Sequence, residues 1–212
     1  MKDSSNPPIP VQVSGTGPSE IRSVDAGAGK PVLVLQANVK NSLVDQLVRH
    51  FRVITCAPGA APREPADVAK AAAETGERLG LTRYCLIGEA ELAAAAIAHA
   101  IDFAERVEAL ILVAPAPSLT ASGETSAGAG ADLRLEDIQT PTLVLFGTRD
   151  EMGCKAGRSY ARRIASCFYT LVYDSGPDIA GDRPQALYAV VRDFLEHRER
   201  FVLGQESSAL NP

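Results

Sequence analysis

The chain has 212 residues, 46% of them hydrophobic and 22% charged, with 17 Gly, 14 Pro and no Trp. That length suits one domain with a core of ordinary size, and the composition excludes collagen-like, coiled-coil and wholly disordered chains. Lys and Arg number 21 against 26 Asp and Glu, a net charge of −5 mixed along the sequence, so no electrostatic funnel for nucleic acid is expected.

Residues 1–10, MKDSSNPPIP, read as a frayed lead-in and have no apolar core of the kind a signal or transit sequence needs. A weak hairpin is expected over 11–14 and 20–24. Residues 32–35 form a continuous apolar run, the mark of a strand covered on both faces. Leu43, Leu47 and Val48 then recur at helical spacing. A strand at 51–55 leads into the turn-rich APGAAPREP, and a helix over 66–79 ends at Gly80. A strand at 84–87 and an Ala-rich helix at 91–103 follow, then a strand at 109–113. Residues 118–131, SLTASGETSAGAGA, carry little to bury and are expected as a flexible loop. Beyond it the pattern predicts a strand at 142–146, a helix at 157–164, a strand at 169–173 and a last helix at 184–201. Pro141 and Pro184 stand at element starts, where a missing N–H costs little.

Strands alternating with helices imply right-handed crossovers and an α/β fold: a mostly parallel sheet with helices on both faces. One domain is expected over 11–203, with 204–212 as a loose tail. Ligands in such sheets bind at the carboxyl ends of the strands, so chemistry belongs just after Leu35, Ile87, Val113, Phe146 and Tyr173. No window holds the roughly 18 apolar residues of a membrane span. Cys56, Cys85, Cys154 and Cys167 lie far apart with no CxxC, which reads as reduced thiols in a soluble cytoplasmic protein. DAGAGKP at 25–31 fails as a phosphate loop, because Pro31 stands where Ser or Thr is needed and a strand follows instead of a helix.

Four segments in order carry a family resemblance. PVLVLQ from Pro31 resembles the oxyanion strand of α/β-hydrolases. YCLIGEAELAAAAIAHA resembles their strand–nucleophile turn–helix, PTLVLFGTRD the strand bearing the catalytic acid, and VYDSGPDIAGDRP the loop bearing the catalytic His. The similarity spans about residues 31–200 and implies a three-layer α/β-hydrolase-like sandwich. Its cap is reduced to the 118–131 loop, so it has no lid.

The catalytic groups that this resemblance calls for are missing. The elbow pattern small-x-nucleophile-x-small reads Gly88-Glu89-Ala90-Glu91-Leu92, so Ala90 stands at the nucleophile position. Leu92 replaces the second small residue, and the turn is expected to relax. Pro177 occupies the His position, and Gln36-Ala37 the place of the usual His-Gly. Only Asp150 remains as a triad remnant, and an acid with no imidazole to orient has no triad role. Losing nucleophile or base costs on the order of 10⁶ in rate, so Ser-His-Asp acyl transfer is not expected.

The sequence therefore predicts a non-catalytic binding module, or a subunit or partner of a larger assembly, with a protein partner, a second copy or a small molecule as occupant. Gln36, Ala37, Glu89, Glu91, Asp150 and Asp178 are the candidate ligand-binding residues, with no cofactor and no metal. The alternative is a hydrolase or lyase working through the rim carboxylates or Cys154, although Asp150 and Glu151 beside that thiol oppose thiolate formation. His50, His99 and His197 read as surface or packing residues.

Overall fold

Short continuous apolar runs such as residues 32–35 suit strands covered on two sides, and these strands build the centre of the molecule. The computed structural model describes residues 12–14, 20–37, 41–59, 64–119, 125–127 and 134–201; the 1–10 lead-in, residues 60–63 of the turn-rich 57–65 stretch and the 204–212 tail fall outside them. In chain order the elements are β1 (Gln12–Ser14), β2 (Ile21–Ala26), β3 (Pro31–Leu35), α1 (Ser42–Leu47), β4 (Arg52–Pro58), α2 (Pro65–Arg78) and β5 (Tyr84–Glu89). A 3₁₀ turn (Ala90–Leu92) enters α3 (Ala93–Asp102), followed by β6 (Val107–Val113), β7 (Pro117–Leu119), β8 (Thr125–Ala127) and β9 (Thr142–Gly147). Then come α4 (Glu151–Arg163), β10 (Cys167–Val172), α5 (Ile179–Asp182) and α6 (Pro184–His197), which closes in a 3₁₀ turn (Arg198–Arg200).

Eight strands form one sheet in the order β1-β2-β4-β3-β5-β6-β9-β10. The pairs β1–β2 and β2–β4 are antiparallel and the remainder parallel. Period-two alternation splits the core between two faces. Leu33, Leu35, Leu86, Leu110, Leu112 and Phe146 pack under α2, α3 and α4. Val32, Val34, Ile87, Ile111, Leu143 and Leu145 pack under α1, α5 and α6. This is the three-layer arrangement expected.

Two departures matter. Within 118–131, where a featureless loop was expected, the described residues of β7 and β8 form an antiparallel ladder with Ser118 opposite Ser126. Ladder bonds come from the backbone, so a Gly/Ser/Ala sequence can make them without showing any hydrophobic alternation. Helix α4 begins at Glu151, six residues before the apolar spacing becomes visible, because Asp150 caps it: Asp150 Oδ1 accepts from Gly153 N at 2.8 Å.

Candidate functional site

The site begins where β5 ends. Gly88 is its hinge: a Cβ there would lie 2.5 Å from Ala96 Cβ and 3.1 Å from Ala93 Cα, so helix and strand approach as closely as they do only because the side chain is a hydrogen. The next turn puts Ala90 at φ 48°, a left-handed conformation that a non-glycine residue adopts at a cost of about 1–2 kcal/mol. Ala93 N donates to Ala90 O, and Ala116 N reaches the same carbonyl at 3.2 Å, which pins the turn. The expected relaxation at Leu92 is therefore corrected. Leu92 is buried with right-handed backbone (φ −84°), and the close approach runs through Gly88, Ala93 and Ala96 instead. The sharp elbow is intact, and what it presents to solvent is the methyl group of Ala90.

Behind the elbow lies a polar cluster that hinges on Asn41, a residue the sequence reading did not single out. Asn41 Oδ1 accepts from Val44 N at 2.9 Å and so caps α1. Its Nδ2 donates to Gln36 Oε1 at 2.8 Å and to Glu89 Oε1 and Oε2 at 2.9 and 2.8 Å. Asn followed by Ser just before Leu43 and Val44 is a helix-start signature, and that signal would have found it. Burial pushes the Glu89 carboxyl above its ordinary pKa; the Asn41 bonds pull the other way, and the nearby Asp178 and Glu91 charges add to the rise. Gln36 is 1% exposed, and its Nε2 has no acceptor among the described residues. A buried unmade donor costs about 1–3 kcal/mol. Of the expected ligand contacts, Gln36 and Glu89 are thus joined through Asn41, with Asp178 and Glu91 near enough to act on Glu89. Ala37 is exposed beside Gln36.

The segments resembling the acid and His loops sit beside each other, tied by backbone and carboxylate bonds. Gly147 ends β9 so close to the loop after β10 that a Cβ would meet Ser175 O at 2.1 Å, and Arg149 N donates to Ser175 O at 2.8 Å. Asp182 accepts from Gly176 N at 2.7 Å and from Arg149 at 3.0 Å, bonds that hold its carboxyl below the usual range. This frame presents residue 177 to solvent, and that residue is proline. Asp178 spends Oδ1 on Gly181 N at 2.9 Å, capping α5. Asp150, bonded to Gly153 N, serves α4 in the same way.

The other candidate nucleophile fares no better. Cys154 Sγ donates to Gly147 O at 3.3 Å, and burial together with Asp150 pushes its thiol up, away from thiolate. His99 is buried under α2: its ring bonds Ala69 O at 2.9 Å and Tyr84 Oη at 2.6 Å, a packing role. His50 stacks on Tyr188 and His197 pairs with Asp193. Among the described residues, no three His, Cys, Asp or Glu side chains converge as metal ligands. No described helix is long and apolar enough to cross a membrane.

No protein-family model and no curated protein matches this chain. Solved structures do. A thermophilic esterase from Thermogutta terrifontis aligns at TM-score 0.70 and 19% identity, over 88% of this chain and 98% of its own. A carboxylesterase, CesB, from Bacillus subtilis aligns at 0.69 and 17%, over 89% and 92%. A naproxen esterase from Bacillus subtilis aligns at 0.68 and 12%, over 88% and 92%. These matches show that the chain has the α/β-hydrolase fold.

Proposed function

We propose that this chain is a non-catalytic α/β-hydrolase-like protein, a binding module or a subunit of a larger assembly that keeps the elbow and has lost its chemistry. One observation carries the reading: the strained left-handed turn is retained at residue 90, and the residue on it is alanine. A methyl group cannot attack a carbonyl, and Pro177 cannot take up the proton of an attacking group. Removing nucleophile or base alone costs on the order of 10⁶ in rate, and here both are absent.

The mouth is better equipped to hold a ligand than to transform one. Gln36 Nε2 is a buried donor waiting for an acceptor, and buried polar groups left open in this way commonly mark a functional position. Gln36, Ala37, Glu89, Glu91 and Asp178 are the proposed contacts, a small polar molecule or a partner's side chain the proposed occupant. Asp150 is left out because its carboxylate serves α4. The four free thiols suit a reducing cytoplasm. No specific observation favours catalysis through Cys154, whose thiol is held protonated.

Incubation with p-nitrophenyl acetate, butyrate and octanoate tests the reading. Release of nitrophenol at the buffer rate is expected. Turnover that copurifies with the protein and disappears in Glu89→Gln or Cys154→Ala would overturn it.

A further inference from the structure

A second site opens at the opposite end of the sheet. Where β3, β5, β6 and β9 begin, a cleft of about 610 Å³ is walled by the residues preceding those strands and by the end of α6. That volume lies within the range of small-molecule sites. The chain as a whole carries a net charge of −5, yet among the residues whose side chains are described this cleft is basic: Lys30, Arg83, Arg198 and Arg200 face two carboxylates, Glu108 and Glu196.

Pairing does not remove the excess. Glu196 is bonded to Arg192, outside the cleft, at 2.9 Å. Glu108 is shared between Arg83 at 3.4 Å and Arg198, so one carboxylate answers two guanidinium groups. Lys30 and Arg200 have no carboxylate partner among the described residues. Helix α6 ends in this wall, and its terminal carbonyls carry about half a negative charge. That is too little to neutralise the surplus cations.

The wall is also built at some cost. Arg198 sits at φ 51°, a left-handed conformation rare for a side chain of its size, and the turn sends its guanidinium back to Glu108 on β6. Its Nε–H is buried and has no acceptor among the described residues. Strain of this kind costs about 1–3 kcal/mol and concentrates at functional positions. The remaining described lining is polar, with Gln139, Thr140 and His197 beside small apolar groups, and no Phe, Tyr or Trp ring among the described residues to stack on a base.

We propose that this cleft binds a small phosphorylated polyol. The cations take the phosphate, while Glu108, Glu196, Gln139 and Thr140 offer partners to hydroxyl groups; guanidinium and phosphate match in geometry and charge. The site lies at the other end of the strands from the elbow and stands whether or not the elbow binds anything.

Titration calorimetry with D-ribose 5-phosphate, against ribose and inorganic phosphate, tests it. Saturable binding of ribose 5-phosphate is expected at about 50 mM salt, tighter than inorganic phosphate and absent for ribose. Affinity should fall about tenfold at about 500 mM salt, as screening shortens the reach of exposed charges. Lys30→Gln and Arg200→Gln remove exposed cations without breaking a described ion pair, so both variants should fold, and each should weaken binding about fivefold or more. Lack of saturable heat, affinity no better than that of inorganic phosphate, or affinity unmoved in both variants would overturn the proposal.

Discussion

Replacing Gly88 by alanine tests how the elbow is built. The new methyl would sit 2.5 Å from Ala96 Cβ and 3.1 Å from Ala93 Cα, against about 3.5–4.0 Å for carbon atoms in comfortable contact. Neither neighbour can rotate away, since one is a first side-chain atom and the other is backbone, so α3 must move by about 1 Å. Overpacking of this kind costs about 1–3 kcal/mol, and the rigidity of both neighbours puts Gly88→Ala near the top of that range. For a chain of this size that lowers the melting temperature by about 6–12 °C. Ala96→Gly alone should cost about 1 kcal/mol through helix propensity. Combined, the two changes should cost clearly less than their sum, because the second removes the atom the first strikes; a coupling of about 1–2 kcal/mol is expected. Urea denaturation of the four proteins reads the cycle. Additive losses would refute the claim that strand and helix meet through this pair.

Glu89→Gln keeps an oxygen for Asn41 and removes a buried charge. A carboxyl whose folded pKa is raised contributes stability at low pH that is lost as pH rises through that folded value. The variant should thus be more stable than the natural chain at pH 7, with that advantage fading as the pH is lowered to 4, read by denaturant midpoints; a loss at pH 7 would contradict the reasoning. His99 runs the opposite way. Burial lowers its folded pKa below the ordinary 6.5, so its contribution is complete above pH 6.5 and declines as pH falls from there toward the folded value. That decline should vanish in His99→Gln, and Tyr84→Phe, which leaves the imidazole one bond short, should cost about 1–3 kcal/mol in the same assay. The Ala90→Ser, Pro177→His double variant restores two groups on an intact elbow, but Asp150 remains in its cap. Measurable hydrolysis of p-nitrophenyl acetate is expected, about 10⁴ below that of a complete triad, the cost of an unoriented imidazole; a full rate would show that Asp150 leaves α4.

The layering was legible in the sequence because it depends on local pattern. Consecutive apolar residues at 32–35, 84–87 and 142–146 are of strand length and too short for a buried helix, and the helices between them follow from length and spacing. Side-chain commitments were less visible. Asp150 reads as a catalytic remnant when set beside a family motif, and the geometry adds a local duty that the motif does not show, Oδ1 capping α4 through Gly153 N. At Leu92 the motif spacing does not coincide with the contact; the packing constraint falls on Gly88, whose neighbours are the Ala93 and Ala96 positions of the next helix. Asn41 was missed although its capping signature was present, because its second role depends on Glu89, 48 residues away. The basic cleft could not be read at all: Lys30, Arg83 and Arg198 belong to distant segments that meet only because parallel strands begin at one edge.

Intact-mass spectrometry after exposure to an alkyl fluorophosphonate, which phosphonylates activated serines, examines the vacant elbow most directly. The account predicts an unchanged mass for the natural chain and a single adduct at position 90 in the Ala90→Ser, Pro177→His variant. An adduct on the natural chain, mapped to any residue at the carboxyl ends of the strands, would contradict it.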